Sequence, residues 1–133
     1  MSKSPKRTLK KRIDVIEAAY EYMLAYAAQG LAGDEESASV TQIREELEQM
    51  DQAMDGLAGL IGTGAKTKKL APAASLQSFV EVVERDISDT RAAVGLVLGR
   101  PKISSQLVDN LNGLIHLRAV LTDMFLIDEL LNS

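Results

Sequence analysis

Four stretches of this chain space their apolar residues in alternating steps of three and four, and that period fits one kind of local structure. In the first, Leu9, Ile13, Ile16, Tyr20, Met23 and Ala27 fall on a single stripe of a helix with about 3.6 residues per turn. Val40, Ile43, Leu47, Met50, Met54, Leu57 and Ile61 do the same in the second, with Glu45, Glu46, Glu48, Asp51 and Asp55 filling the solvated positions between them. Leu76, Val80, Val83, Ile87, Thr90, Val94 and Val97 mark the third, and Leu107, Leu111, Leu114, Leu121 and Phe125 the fourth. The apolar palette agrees, since it is mainly Leu, Ala, Ile, Val and Met, with no Trp and with Phe79 and Phe125 as the only phenylalanines.

The punctuation between the stripes sets the expected boundaries. Gly30, Gly33 and Asp34-Glu35-Glu36 close the first helix, and Ser39-Val40-Thr41-Gln42 reads as a capping box that opens the second. Residues 62–74, with two glycines, Pro72 and three lysines, read as a linker, while Gly99-Arg100-Pro101 separates the third helix from the fourth. The expectation is an all-α chain. A basic flexible tail covers 1–8, and one domain over 9–133 holds helices at about 9–29, 40–61, 75–98 and 102–131. These form a four-helix antiparallel bundle of two helical hairpins, completed or extended by oligomerisation if one hairpin zips onto a second copy.

Several classes of chemistry lack their residues. There is no cysteine, which removes disulfides, thiolate metal sites and a cysteine nucleophile. The basic start runs into amphipathic Ile13-Asp14-Val15-Ile16-Glu17 and not into the apolar core of a secretory signal, and no apolar run approaches the roughly 18 residues of a bilayer span. A soluble, cytoplasmic protein without integral membrane association is expected. The net charge of −4 hides an uneven distribution, with Lys3, Lys6, Arg7, Lys10, Lys11 and Arg12 crowded at the start and an acidic body after them. An acidic body repels phosphate, so nucleic acid is expected to touch at most the basic N-terminal tip, which has no aromatic residue to stack on a base.

Gly59-Leu60-Ile61-Gly62-Thr63-Gly64-Ala65-Lys66-Thr67 approaches a phosphate-binding loop, but Ala65 separates the last glycine from Lys66, and no strand precedes it. His116 is the one histidine, on a face with Asp109, Asn112 and Asp123. A solitary surface histidine on a four-helix bundle has a defined functional reading as a phosphoryl acceptor. The lysine-glycine pair that usually follows such an acceptor is absent here, where Leu117-Arg118 follow. One histidine, with Gly113 three residues before it, also cannot build a di-iron carboxylate site. No catalytic residue, cofactor or metal is expected.

Two features exceed what a plain bundle needs. Beside its main stripe the first helix carries Val15, Ala19, Tyr22 and Tyr26, and the fourth carries Val120, Met124 and Ile127 beside its own. A helix apolar over most of its circumference is buried on more than one side, either by a partner chain or by a central position in its own fold. These seven residues are the expected partner interface, tyrosine suiting an interface rim. Arg118 falls on the apolar arc of the fourth helix and is expected to be a buried polar residue that fixes register, paired with Asp86, Glu17 or Glu21. The function expected from these features is non-enzymatic: a protein–protein interaction module, as an accessory subunit, adaptor or assembly factor, with a protein partner or a homo-oligomer. The alternatives are a histidine phosphotransfer-type signalling bundle and a carrier of a small apolar ligand.

Overall fold

The computed structural model describes residues 5–132 apart from Leu70, with the side chains of residues 5–7 and 66–68 also outside that set. Six helices follow one another: α1 (Pro5–Ala27), α2 (Ala38–Met54), α3 (Leu57–Lys68), α4 (Ala73–Leu98), α5 (Ser105–Asn112) and α6 (Ile115–Leu131). The protein is all-α, with no strand among the described residues. One cluster of buried apolar side chains draws on all six helices. The expected stripes supply most of it: Leu9, Ile13, Ile16 and Met23 of α1, Ile43, Leu47, Met50 and Met54 of α2, and Val80, Val83, Ile87, Val94 and Val97 of α4.

The stretch expected to be one helix over 40–61 is two. Asp55 turns extended, with φ −65° and ψ 119°, and Gly56 takes φ 70°, a left-handed conformation that costs glycine little. The apolar period does not register the break, because α3 resumes with Leu57, Ala58 and Ile61 buried. Side chains tie the break from two sides. Arg12 of α1 donates to the Asp55 carbonyl. Arg91 of α4 grips both oxygens of Asp51, at 2.9 Å from Nε and 3.2 Å from Nη2, and reaches Asp55 Oδ1 at 3.2 Å.

Three boundaries differ from the sequence expectation. α3 runs through Gly62 and Gly64 to Lys68, so helix replaces most of the linker expected over 62–74. Packing overrides the poor helix propensity of glycine here, since Ile61 and Ala65 are buried on the core side. α1 reaches back to Pro5, which suits a first helical turn; of the tail expected over 1–8, residues 5–8 are helical and 1–4 lie outside the described residues. α2 is capped by Ser37 and not Ser39, the Ser37 hydroxyl accepting from the Val40 amide at 3.3 Å. Gln42 donates instead to Glu46, at 3.4 Å.

The division of the stretch over 102–131 has the larger consequence. After α5 the Gly113 amide donates back to the carbonyls of Asp109 and Asn110, each at 3.2 Å, and Leu114 turns extended (φ −69°, ψ 134°) before α6 begins. A continuous stripe from Leu107 to Phe125 assumes one unbroken helix. The extended residue resets the rotation, so α6 buries Leu117, Val120, Leu121, Met124, Ile127 and Leu131, while Leu114 and Phe125 are exposed.

The end of α1 is locked to the start of α5. The buried Tyr26 hydroxyl donates to the Ile103 carbonyl at 2.6 Å, and the Ser105 hydroxyl donates to the Tyr26 carbonyl at 2.6 Å while accepting from the Leu31 amide at 2.9 Å. The Ser105 amide returns the bond to the Leu31 carbonyl at 2.9 Å. Gly33 lies against this junction with φ 100°, and a Cβ there would stand 2.8 Å from the Ile103 carbonyl carbon. Only glycine fits that combination of conformation and space.

Candidate interaction surface

The seven residues expected at a partner interface are mostly covered by their own chain. Ala19, Tyr26, Val120, Met124 and Ile127 are buried in the core, and Val15 and Tyr22 are half-buried against it. The correction has a physical cause on each helix. α1 packs against α2, α3, α5 and α6 at once, so its second stripe is used within the fold; Tyr22 donates to the Ser39 carbonyl at 3.1 Å and stacks on Tyr26 with ring centroids 6.4 Å apart. On α6 the reset at Leu114 turns Val120, Met124 and Ile127 inward.

The same reset turns other apolar residues outward. Ile115, Phe125 and Leu126 are 78%, 57% and 50% exposed, and with the exposed Arg118, Thr122 and Glu129 they form the outer face of α6. Arg118 is therefore not a buried register residue; its carbonyl accepts from the Thr122 hydroxyl at 2.8 Å. α4 packs beside α6 and adds exposed Val82 and Leu96 on its flank. The sequence signal for this face was the apolar surplus of the fourth stripe, read a fraction of a turn out of phase.

Polar groups lie in the seam between α4 and α6. Asp86, proposed from sequence as a partner for Arg118, instead acts on Asp123 of α6. Burial first, then hydrogen bonding and charge interaction with Asp86, push the Asp123 carboxyl up to about 7. Among the described residues, Asp123 Oδ2 and the hydroxyl of buried Thr90 have no hydrogen-bond partner in the structure. His116, in the first turn of α6, is exposed and sets Nδ1 3.6 Å from Asp89 Oδ2 of α4. The sequence puts Asp123 on a face with His116 and offers Asp86 as a partner for Arg118, but the meeting of Asp86 with Asp123 depends on the rotation of α6.

The features that suggested chemistry are placed as follows. Residues 59–67 lie within α3, so their backbone amides are spent on helix and do not form a phosphate-cradling loop. A cavity of about 650 Å³ opens between α3 and the start of α4, lined by Gly59, Gly62, Thr63, Leu76 and Val80 together with Lys69. Another, of about 330 Å³, lies between α1 and α2 beside Lys11, Arg12 and Gln49. Neither is lined by a carboxylate or a histidine. Among the described residues no group of three His, Cys, Asp or Glu side chains could hold a metal ion, and no helix is long and apolar enough to cross a membrane. No family model, curated protein or solved structure matches this chain.

Proposed function

We propose that this chain is a non-enzymatic protein–protein interaction module, an accessory subunit, adaptor or assembly factor, that docks its partner on the outer face of α6 and the adjoining flank of α4. The observation that carries the reading is the exposure of Ile115, Phe125 and Leu126 together on one helix face. Ile115 stands at the start of that face and Phe125 with Leu126 toward its end, with Arg118 and Thr122 between them; exposed apolar residues gathered on one helix face favour a contact more than residues scattered singly over a surface. Covering such a face returns roughly 25 cal/mol for each Å² of apolar surface removed from water. In this reading the six helices act as four antiparallel rods, α1, α2–α3, α4 and α5–α6, and the outer side of the last rod is the docking side.

Size exclusion with light scattering tests it on the wild type and on Phe125→Glu/Leu126→Glu. The wild type runs above 14.4 kDa, alone or with a stoichiometric partner from its native host, and the variant loses the association while keeping its helical circular dichroism. A wild type that associates with nothing contradicts the reading, and so does a variant that unfolds, because that face would then be core.

A further inference from the structure

The groove between α1 and α2 carries positive charge that no carboxylate among the described residues neutralises. The two helices run antiparallel, since Tyr22 donates to the Ser39 carbonyl and Arg12 to the Asp55 carbonyl. Toward the start of α1 the groove widens into the cavity of about 330 Å³, with Lys11 and Arg12 on one wall, Gln49 and Gln52 on the other, and apolar Val15 and Ala53 also lining it. The carboxylates at this end of α2, Asp51 and Asp55, are both held by Arg91 of α4, and Asp14 of α1 pairs with Lys10. Arg12 therefore meets a carbonyl and no carboxylate. Lys11 forms no ion pair, and the side chains of Gln49 and Gln52 form no hydrogen bond, with any described residue. In a chain with nineteen acidic side chains against fifteen basic ones, two cations on one cavity wall are left for a carboxylate from outside.

We propose that this cavity docks an acidic segment of a partner protein, one side-chain carboxylate of which seats between Lys11 and Arg12. The carboxamides of Gln49 and Gln52 donate to the same oxygens, which accept several hydrogen bonds at once, and the stem of the incoming side chain lies on Val15 and Ala53. The volume is that of about ten waters at roughly 30 Å³ each, room for one or two acidic side chains. This contact is separate from the outer face of α6 and does not depend on it. A nucleic-acid strand fits the groove poorly. Glu45 and Glu48 are exposed one turn before Gln49 and Gln52 on the same face of α2, so a phosphate beside Lys11 would bring its neighbours against carboxylates. A peptide needs a single negative charge at this point and leaves the acidic stretch of the groove to its neutral residues.

NMR amide shifts at low salt test the proposal, with acetyl-Leu-Glu-Glu-Leu-amide as the probe and acetyl-Leu-Gln-Gln-Leu-amide, inorganic phosphate and a single-stranded oligonucleotide as comparisons. The glutamate peptide shifts the amides of Lys11, Arg12, Gln49 and Gln52 saturably, with a dissociation constant of roughly a millimolar. The glutamine peptide binds at least about fivefold more weakly, and Lys11→Glu and Gln49→Glu each weaken the glutamate peptide by about fivefold or more. Both variants keep the helical circular dichroism of the wild type, because both positions are exposed; Arg12 is left in place because it ties the break between α2 and α3. No saturable shift, equal binding of the two peptides, or a variant that binds like the wild type overturns the proposal. So does tighter binding of phosphate or the oligonucleotide at the same amides, which would make this a phosphate site.

Discussion

Asp123 on α6 neighbours Asp86 on α4, and its carboxyl is raised by burial first and then by hydrogen bonding and charge interaction with Asp86. Two carboxylates so placed repel when both ionise, so the pair retains a proton that isolated carboxyls would release.

The pH dependence follows in sign. The folded protein holds the Asp123 proton up to about 7, against an ordinary value of 3.8. Between those limits the folded state binds a proton that the unfolded chain has released, so this contribution is fully present below pH 3.8 and is lost as pH rises through about 7. Glu35 acts in the opposite direction at lower pH. The amides of Ala32 and Gly33 hold its carboxyl below the ordinary range, so its contribution is lost as pH falls. Urea midpoints measured from pH 5 to 8 therefore fall with rising pH, and Asp123→Asn flattens the slope. A midpoint that rises over this interval contradicts the shared proton.

Two glycines separate conformation from propensity. Gly33→Ala places a Cβ 2.8 Å from the Ile103 carbonyl at φ 100° and costs at least about 2 kcal/mol. Gly59→Ala, in α3 with nothing within 4 Å of the new Cβ, stabilises by about 0.5–1 kcal/mol. Chemical denaturation of the two variants gives shifts of opposite sign.

Much of the fold was legible because burial has a period. Most of the stripes of α1, α2 and α4 is buried as read, with Tyr20, Ala27, Val40 and Leu76 only partly buried against the core, since an uninterrupted helix keeps one face to the core. What escaped were single-residue events. The left-handed Gly56 leaves the apolar stepping intact, and the extended Leu114 shifts the rotation of every residue after it without changing composition. The surface residues on α6 were consequently assigned to the wrong side, with Phe125 inside and Val120, Met124 and Ile127 outside. On α1 the surplus stripe was read correctly as buried twice, but its second cover is α2 and α5 and not a partner. The meeting of Asp86 with Asp123 had no local signal at all.

Tyr26 and Tyr22 differ in what they hold. Tyr26→Phe removes a buried donor and leaves the Ile103 carbonyl without it, which costs about 1–3 kcal/mol. Tyr22→Phe, at a half-buried hydroxyl bonded to the Ser39 carbonyl, costs less than about 1.5 kcal/mol. Thermal melts of the two variants rank them in that order.

His116→Ala leaves the fold intact and changes stability by less than about 0.5 kcal/mol, because the pair it makes with Asp89 is exposed on both sides. Denaturation checks the stability, and complementation in the native host checks the function. A loss of function with unchanged stability would favour phosphoryl acceptance at His116.

Side-chain footprinting across a concentration series tests most directly the claim that α6 turns one apolar face outward for contact. The account predicts that Ile115, Phe125 and Leu126 are labelled in dilute protein and become protected as association proceeds, while Val120, Met124 and Ile127 stay protected throughout. Protection of Phe125 at every concentration, or labelling of Met124 in dilute folded protein, would contradict it.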